Sequence, residues 1–225
     1  MTKTLGIMGG MGPLATVDLM NKIIRLTPAQ RDQDHIHMIV DNYPQIPDRT
    51  EAIMGKGANP LSFMIESAKR LEAAGADFIA IACNTAHYYL DDIQNSVNIP
   101  IMNMPKETVR FIDKAGFKTI ALLATDGTLS SNLYQESLRE GGFAVVEPDP
   151  VTQESIMEGI YSVKSGDLNK GKKLFLHASK TVIEQGAEAI IAACTEIPLV
   201  LTEIDGIKLI DPTQILANKI VEISI

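Results

Sequence analysis

Cysteine is scarce in this chain, with two residues among 225. Two thiols cannot build the disulfide framework of a small secreted domain, so the cytoplasm is the expected compartment. Positive charge is also in short supply: 20 Lys and Arg stand against 28 Asp and Glu, a formal net charge of -8. A nucleic-acid partner needs clustered cations to neutralise phosphates, and none is expected here. No apolar run reaches the roughly 18 residues that cross a bilayer, so no membrane partner is expected either. The start, "MTKTLGIMGG", has one lysine and a very short apolar stretch, unlike a secretory signal. Several chemical signatures are missing as well. There is no C-x-x-C, no Gly-Lys-Ser/Thr and no G-x-G-x-x-G spacing, and Cys83 lacks the flanking glycines of a nucleophile elbow. The two cysteines and His35, His37, His87 and His177 fall at unrelated spacings, a poor zinc set, so no metal is expected.

What is present is a rhythm. Short apolar runs occur at 4–8, 36–40, 78–82, 100–103, 119–124, 143–147, 189–193 and 207–211. Most are continuous rather than alternating, as in parallel strands covered on both faces. Helical stretches lie between them. In "NPLSFMIESAKRLEAAG", Leu61, Met64, Ile65, Ala68 and Leu71 form one apolar stripe, Asn59 and Pro60 open it, and Gly75 closes it. Strand–helix alternation of this kind predicts an α/β fold, and 225 residues with 45% hydrophobic content suffice for one large domain or two of about 100 residues.

The chain also repeats itself. "GADFIAIACNT" (75–85) matches "GAEAIIAACTE" (186–196), placing Cys83 over Cys194 at an offset of 111. "TLGIMGGMGPLAT" (4–16) lies over "TIALLATDGTLSS" (119–131) at offset 115, and "IMNMP" (101–105) over "KLIDP" (208–212) at offset 107. Three matches in one order imply two similar halves. Ligands of open α/β sheets bind beyond the carboxyl ends of the strands, where both cysteines sit. If the halves face each other about a pseudo-two-fold, the two thiols approach one cleft from opposite sides.

A free cysteine often serves as a small core hydrophobe. Two at repeat-equivalent positions, each followed by polar residues at a helix start, speak against that, because a helix N-terminus favours thiolate. His87 lies four residues after Cys83, so a Cys–His nucleophile pair stays open, as does a non-catalytic acidic-ligand binding protein. The symmetry suits another chemistry best. Inverting a stereocentre requires removing a proton from one face of a carbon and delivering one to the other, and two opposed acid–base groups do this. In "GGMGP" the bland reading is a tight turn before a helix with Pro13 in its first turn; here it is taken as a close-approach loop at the cleft mouth.

"GGMGPLAT", "ACNTAH", "ATDGT" and "ACTEIP", in this order, resemble the aspartate/glutamate racemase superfamily, and "PDRT" (47–50) makes the likeness strongest to the aspartate racemases. The resemblance extends over nearly the whole chain. It implies two similar Rossmann-like domains with parallel four-stranded sheets, an active site in the interdomain cleft, and cofactor-independent racemisation in a protein that commonly forms a homodimer. The domains would comprise residues 1–103 plus 212–225, and 104–211. Carried over by position, Cys83 and Cys194 are the catalytic pair. Asn84, Thr85 and Thr195 hold the substrate α-carboxylate, while Met11 and Thr125 line the cleft. Arg49 and Lys164 bind the carboxylates of a small acidic amino acid, Asp48 and Tyr161 tie two loops across the cleft, and Glu196 supports the site. Aspartate is the substrate expected, with glutamate or a broader set of amino acids as the alternative, and a Cys83–His87 hydrolase behind them.

Overall fold

Alternation inside the apolar runs decides which way each strand points its side chains, and the computed structural model, which describes residues 3–204 and 206–225, shows it directly. The first half runs β1 (Leu5–Gly9), α1 (Pro13–Leu26), β2 (Met38–Asn42), α2 (Arg49–Ile53), α3 (Leu61–Ala73), β3 (Phe78–Ile81) and α4 (Leu90–Gln94). A crossover helix, α5 (Met104–Asp113), leads into β4 (Thr119–Ala124), α6 (Asp126–Ser130), α7 (Gln135–Glu140) and β5 (Ala144–Val146). Then follow α8 (Pro150–Lys164), α9 (Leu168–Glu184), β6 (Ala189–Ala193), β7 (Lys208–Ile210) and α10 (Pro212–Ser224).

All named strands pair in parallel, in two sheets of order β2-β1-β3 and β5-β4-β6-β7. The second sheet has the four strands expected. In the first, the run at 100–103 contributes a single bridge, Ile79 to Ile101. Pro100 has no N–H to give, and Asn103 already caps α5 by accepting from the Lys106 N–H at 2.9 Å, so no room remains for a ladder. Counting that bridge, the two sheets share one strand order, and β1, β2 and β3 correspond to β4, β5 and β6. The pseudo-repeat read from the sequence is therefore architectural. The run at 36–40 forms its strand two residues later than expected, at Met38–Asn42.

Each sheet is covered on both faces. In the first, Ile79 and Ile81 pack with Met64, Ala68 and Leu71 of α3. Leu5, Ile7, Phe78 and Ala80 pack on the other face with Leu19 and Ile23 of α1 and Leu216, Ala217 and Ile220 of α10. In the second sheet, Ile190 and Ala192 face Ile156, Ile160 and Phe175 of the α8–α9 hairpin. Each fully buried Leu or Ile contributes on the order of 1.5–3 kcal/mol. Asn59 and Pro60 open α3 as expected, with the Asn59 side chain accepting from the Leu61 N–H at 2.9 Å. Gly75 then turns the chain out with φ 96°, and Gly186 does the same after α9 with φ 94°.

Candidate active site

The alternation that builds the cores also aims the cysteines. Cys83 follows Ile79 and Ile81 on one face of its sheet, and Cys194 follows Ile190 and Ala192 on the equivalent face of the other. Both are free and buried, and both line one inner chamber between the halves. Eleven of the twelve residues singled out from the sequence line this chamber together with Thr50; Tyr161 stands outside it. The chamber itself is about 10 Å³, room for roughly one water. It is flanked by an outer cleft of about 440 Å³ that shares Met11, Asp48, Arg49, Lys164 and Glu196 with it and adds the apolar walls Leu14, Ile46, Val163 and Leu199. Gly10 and Gly12 of the "GGMGP" loop line this outer cleft, and Pro13 opens α1.

His87 is held away from nucleophile chemistry. Its Nδ1 lies 2.8 Å from the Cys83 carbonyl oxygen, and its Nε2 accepts from the Met104 N–H at 3.2 Å. With Nδ1–H donating and Nε2 accepting, both ring nitrogens are committed to backbone. Burial holds its pKa below the ordinary histidine value, so the ring is a neutral clamp that fixes the Cys83 turn against the start of α5.

Arg49 is 7% exposed and opens α2. Its guanidinium donates to the carbonyls of Met11 (3.1 Å), Pro47 (3.0 Å) and Ile46 (3.3 Å). Among the described residues its Nε has no partner, and no carboxylate lies within ion-pair distance of it. A buried cation held by neutral carbonyls is a prepared seat for an anion. Asp48 caps α2, its Oδ1 accepting from the N–H groups of Thr50 (2.8 Å) and Glu51 (3.1 Å). Its other oxygen faces the second half, 3.7 Å from Lys164 Nζ and 3.5 Å from the Tyr161 hydroxyl. The sequence expectation of a tie between these loops thus has a geometry, with Tyr161 on the outer side. Burial opposes the Lys164 charge, but Glu196, Cys194 and Asp48 outweigh it and raise the pKa above the ordinary lysine value.

Asn84 is buried, and its Oδ1 accepts from the Tyr134 hydroxyl, while its Nδ2 has no partner among the described residues. Beside it, Thr85 Oγ1 of the first half lies 3.0 Å from both Thr125 Oγ1 and Thr128 Oγ1 of the second. Thr125 also caps α6, accepting from the Thr128 N–H at 3.1 Å. This three-hydroxyl contact needs Gly127: a Cβ there would stand 2.9 Å from Thr50 Cα and 3.2 Å from Thr85 Cγ2. Thr128 and Gly127 belong to the "ATDGT" motif and were legible as part of it; Tyr134 carries no local signal at all.

The second cysteine has an acidic neighbour. Cys194 Sγ–H donates to Glu196 Oε2 at 3.0 Å, and the Thr195 hydroxyl donates to the same oxygen at 3.2 Å. Burial, and then the Glu196 charge, push the Cys194 thiol well above its ordinary range against the opposing pull of Lys164.

Two buried thiols, two cations and two unpaired donors thus surround one chamber, groups whose chemistry suits proton transfer next to a carboxylate. The family described as Asp/Glu/Hydantoin racemase matches residues 8–220, so the chain belongs to that family and is an isomerase of the amino-acid racemase class. It is 31% identical over 222 residues to the broad specificity amino-acid racemase RacX of Bacillus subtilis (strain 168), covering 96% of each chain. Its fold is similar to that of the Picrophilus torridus aspartate racemase, with a TM-score of 0.88 and 34% identity over 98% of this chain and 93% of the other. An aspartate racemase homologue from Pyrococcus horikoshii OT3 is similar at a TM-score of 0.75 and 28% identity, over 99% of each chain.

Proposed function

We propose that this protein interconverts L- and D-aspartate without pyridoxal phosphate, by two-base proton transfer between Cys83 and Cys194. The observation that carries this reading is the lining of one chamber by both thiols together with two unpaired buried donors, Asn84 Nδ2 and Arg49 Nε. In this reading the α-carboxylate takes the Asn84 amide and the hydroxyls of Thr85, Thr125 and Thr195, and the side-chain carboxylate takes Arg49 and Lys164. One cysteine, as thiolate, removes the α-proton; the carbanion charge spreads onto the α-carboxylate, where the same donors stabilise it. The opposite thiol then protonates the other face, and the roles exchange for the reverse direction. Glu196 holds the Cys194 proton in the resting site. An inner chamber the size of one water also means that substrate, arriving through the outer cleft, parts the walls as it binds.

The likeness to the Picrophilus aspartate racemase supports aspartate. The likeness to RacX, with an outer cleft of about 440 Å³ and apolar walls, favours a second reading in which larger amino acids are accepted. A cytoplasmic homodimer, with halves dividing as 1–103 plus 212–225 and 104–211, belongs to the same proposal: thiols that trade protons must stay reduced, and α1 exposes Leu14, Val17 and Ile24. Incubation with L-aspartate in D2O, without added pyridoxal phosphate, tests the reaction. Optical rotation should decay while deuterium enters the α position; unchanged rotation with aspartate, glutamate and a panel of other amino acids would sink the reading.

A further inference from the structure

Tyr134 belongs by packing to the second half and by hydrogen bonding to the first. Its ring is fully buried among Ile112, Leu122 and Leu138 of the second half. Its hydroxyl leaves that core and donates to Asn84 Oδ1, in the turn that follows Cys83. An amide is planar, so committing Oδ1 to one side fixes Nδ2 on the other. Asn84 lines the chamber, and among the described residues its Nδ2 meets no partner, so this donor is left for a ligand there. Native structures rarely leave a buried donor unpaired without reason.

A phenol at this place selects one of two amide orientations. Turned over, Asn84 would present a carbonyl oxygen to the chamber and repel a carboxylate. With the Tyr134 O–H donating, Oδ1 is drawn to the tyrosine and the N–H face is left for the ligand. Burial raises the Tyr134 pKa far above the ordinary phenol value, so the hydroxyl keeps its proton and remains a donor across the working pH range.

We infer that Tyr134 is a positioning residue for the racemase reaction, locking the Asn84 side chain so that its N–H group meets the substrate α-carboxylate. This rests on the racemase reading and adds to it a residue that touches neither substrate nor thiol. The ring's burial in one half and the bond's location in the other also mean that Asn84 is set correctly only when the two halves are together. The donor is thus assembled with the chamber.

The test is a double-mutant cycle of Tyr134→Phe and Asn84→Ala, read as kcat and KM for L-aspartate together with the calorimetric affinity for L-aspartate. Tyr134→Phe keeps the ring and should lower kcat/KM about 10- to 100-fold, with a higher KM and weaker binding. The double variant should be no worse than Asn84→Ala alone, because Tyr134 acts through Asn84. A purely structural role would lower the thermal midpoint and leave KM unchanged, and that result overturns the assignment. So does an active wild type whose Tyr134→Phe variant stays within twofold of it, or losses that multiply in the double variant. If the wild type binds L-aspartate but racemises no amino acid, the racemase reading falls by itself. The affinities then decide Tyr134 separately: equal binding by wild type and Tyr134→Phe overturns it, and weaker binding upholds it. Absence of both binding and turnover overturns both. Should Tyr134→Phe fail to fold, the ¹⁵N-labelled Asn84 amide of the wild type decides. One fixed resonance pair that shifts with L-aspartate supports the assignment, and exchange between two orientations overturns it.

Discussion

Cys83 and Cys194 leave equivalent strands on equivalent sheet faces, yet different groups meet them. The turn after Cys83 is held by a neutral, doubly hydrogen-bonded histidine and presents an amide and a hydroxyl, Asn84 and Thr85. The turn after Cys194 presents a hydroxyl and a carboxylate, and that carboxylate accepts a hydrogen bond from the thiol. Duplicated architecture has supplied two thiols, and local substitution has made them unequal. A site with two identical thiols would have no preferred resting proton. Here burial and Glu196 raise the Cys194 pKa and so favour its protonated form; in the two-base reading proposed above, that makes Cys194 the resting acid.

Removing either thiol breaks the comparison most severely. Cys83→Ala and Cys194→Ala should each reduce racemisation by about 10²- to 10⁴-fold, the usual reach of a general acid or base. In D2O each remaining thiol should still exchange the α-proton of one enantiomer, and following both enantiomers by NMR assigns each thiol to its face. A Cys194→Ala enzyme that racemises at full rate would refute the two-base mechanism.

Arg49→Lys comes next. A lysine cannot reproduce a fork that reaches three carbonyls and still offers an edge, so kcat/KM for aspartate should fall about 10- to 100-fold, the worth of a charged hydrogen bond or two. Steady-state kinetics with aspartate and an uncharged amino acid checks it: the loss should be confined to the acidic substrate.

Glu196→Gln sharpens the difference between the thiols. The carboxylate raises the Cys194 pKa, so replacing it by a neutral amide should lower that pKa and speed alkylation of Cys194 by iodoacetamide near pH 8, with Cys83 unaffected. Racemisation should drop roughly tenfold, at the lower end of acid–base effects. Peptide mapping of the labelled protein distinguishes the two sites.

The smallest effects concern stability, and they assign opposite pH limbs to the two turns. His87 has a depressed pKa in the fold, so its contribution is complete above the unfolded value of about 6.5 and declines as pH falls towards the folded one. Cys194 has a raised pKa, so its contribution is complete below about 8.5 and declines as pH rises beyond that. Each limb should approach a slope of about 1.4 kcal/mol per pH unit in its window. Urea midpoints of wild type, His87→Gln and Cys194→Ser across pH 5 to 10 would show each variant flattening its own limb; a variant that flattened the other would refute the assignment.

Much of this was legible in the chain. Strand positions follow from apolar runs, and their parallel pairing from runs that are apolar on both faces. The motif after Cys83 contained Asn84 and Thr85, and "PDRT" contained both the Asp48 cap and Arg49. Other features carried no signal. Tyr134 lies in "SNLYQES", just before α7, with no motif around it, and its role in the proposal comes from a bond to a residue 50 positions away. His87 tempted a pairing with Cys83 because four residues put both on one helix face. The turn is a 3-10 helix instead, and the backbone of Met104 claims the ring. The strand expected at 100–103 shrank to one bridge because proline before it and a helix cap after it compete for the same backbone.

The sequence by itself determined the two sheets, their repeat and the placing of a thiol at the carboxyl end of each, because period and composition act locally and each half repeats them. Only the tertiary structure decided that both thiols line one chamber, that Glu196 meets Cys194 while a histidine clamp backs Cys83, and that Tyr134 reaches Asn84. Those contacts depend on the angle and distance at which two separately built cores face each other. The Thr85–Thr125–Thr128 hydroxyls and the close approach at Gly127 are among the contacts that join them, and no pattern within one half encodes such contacts.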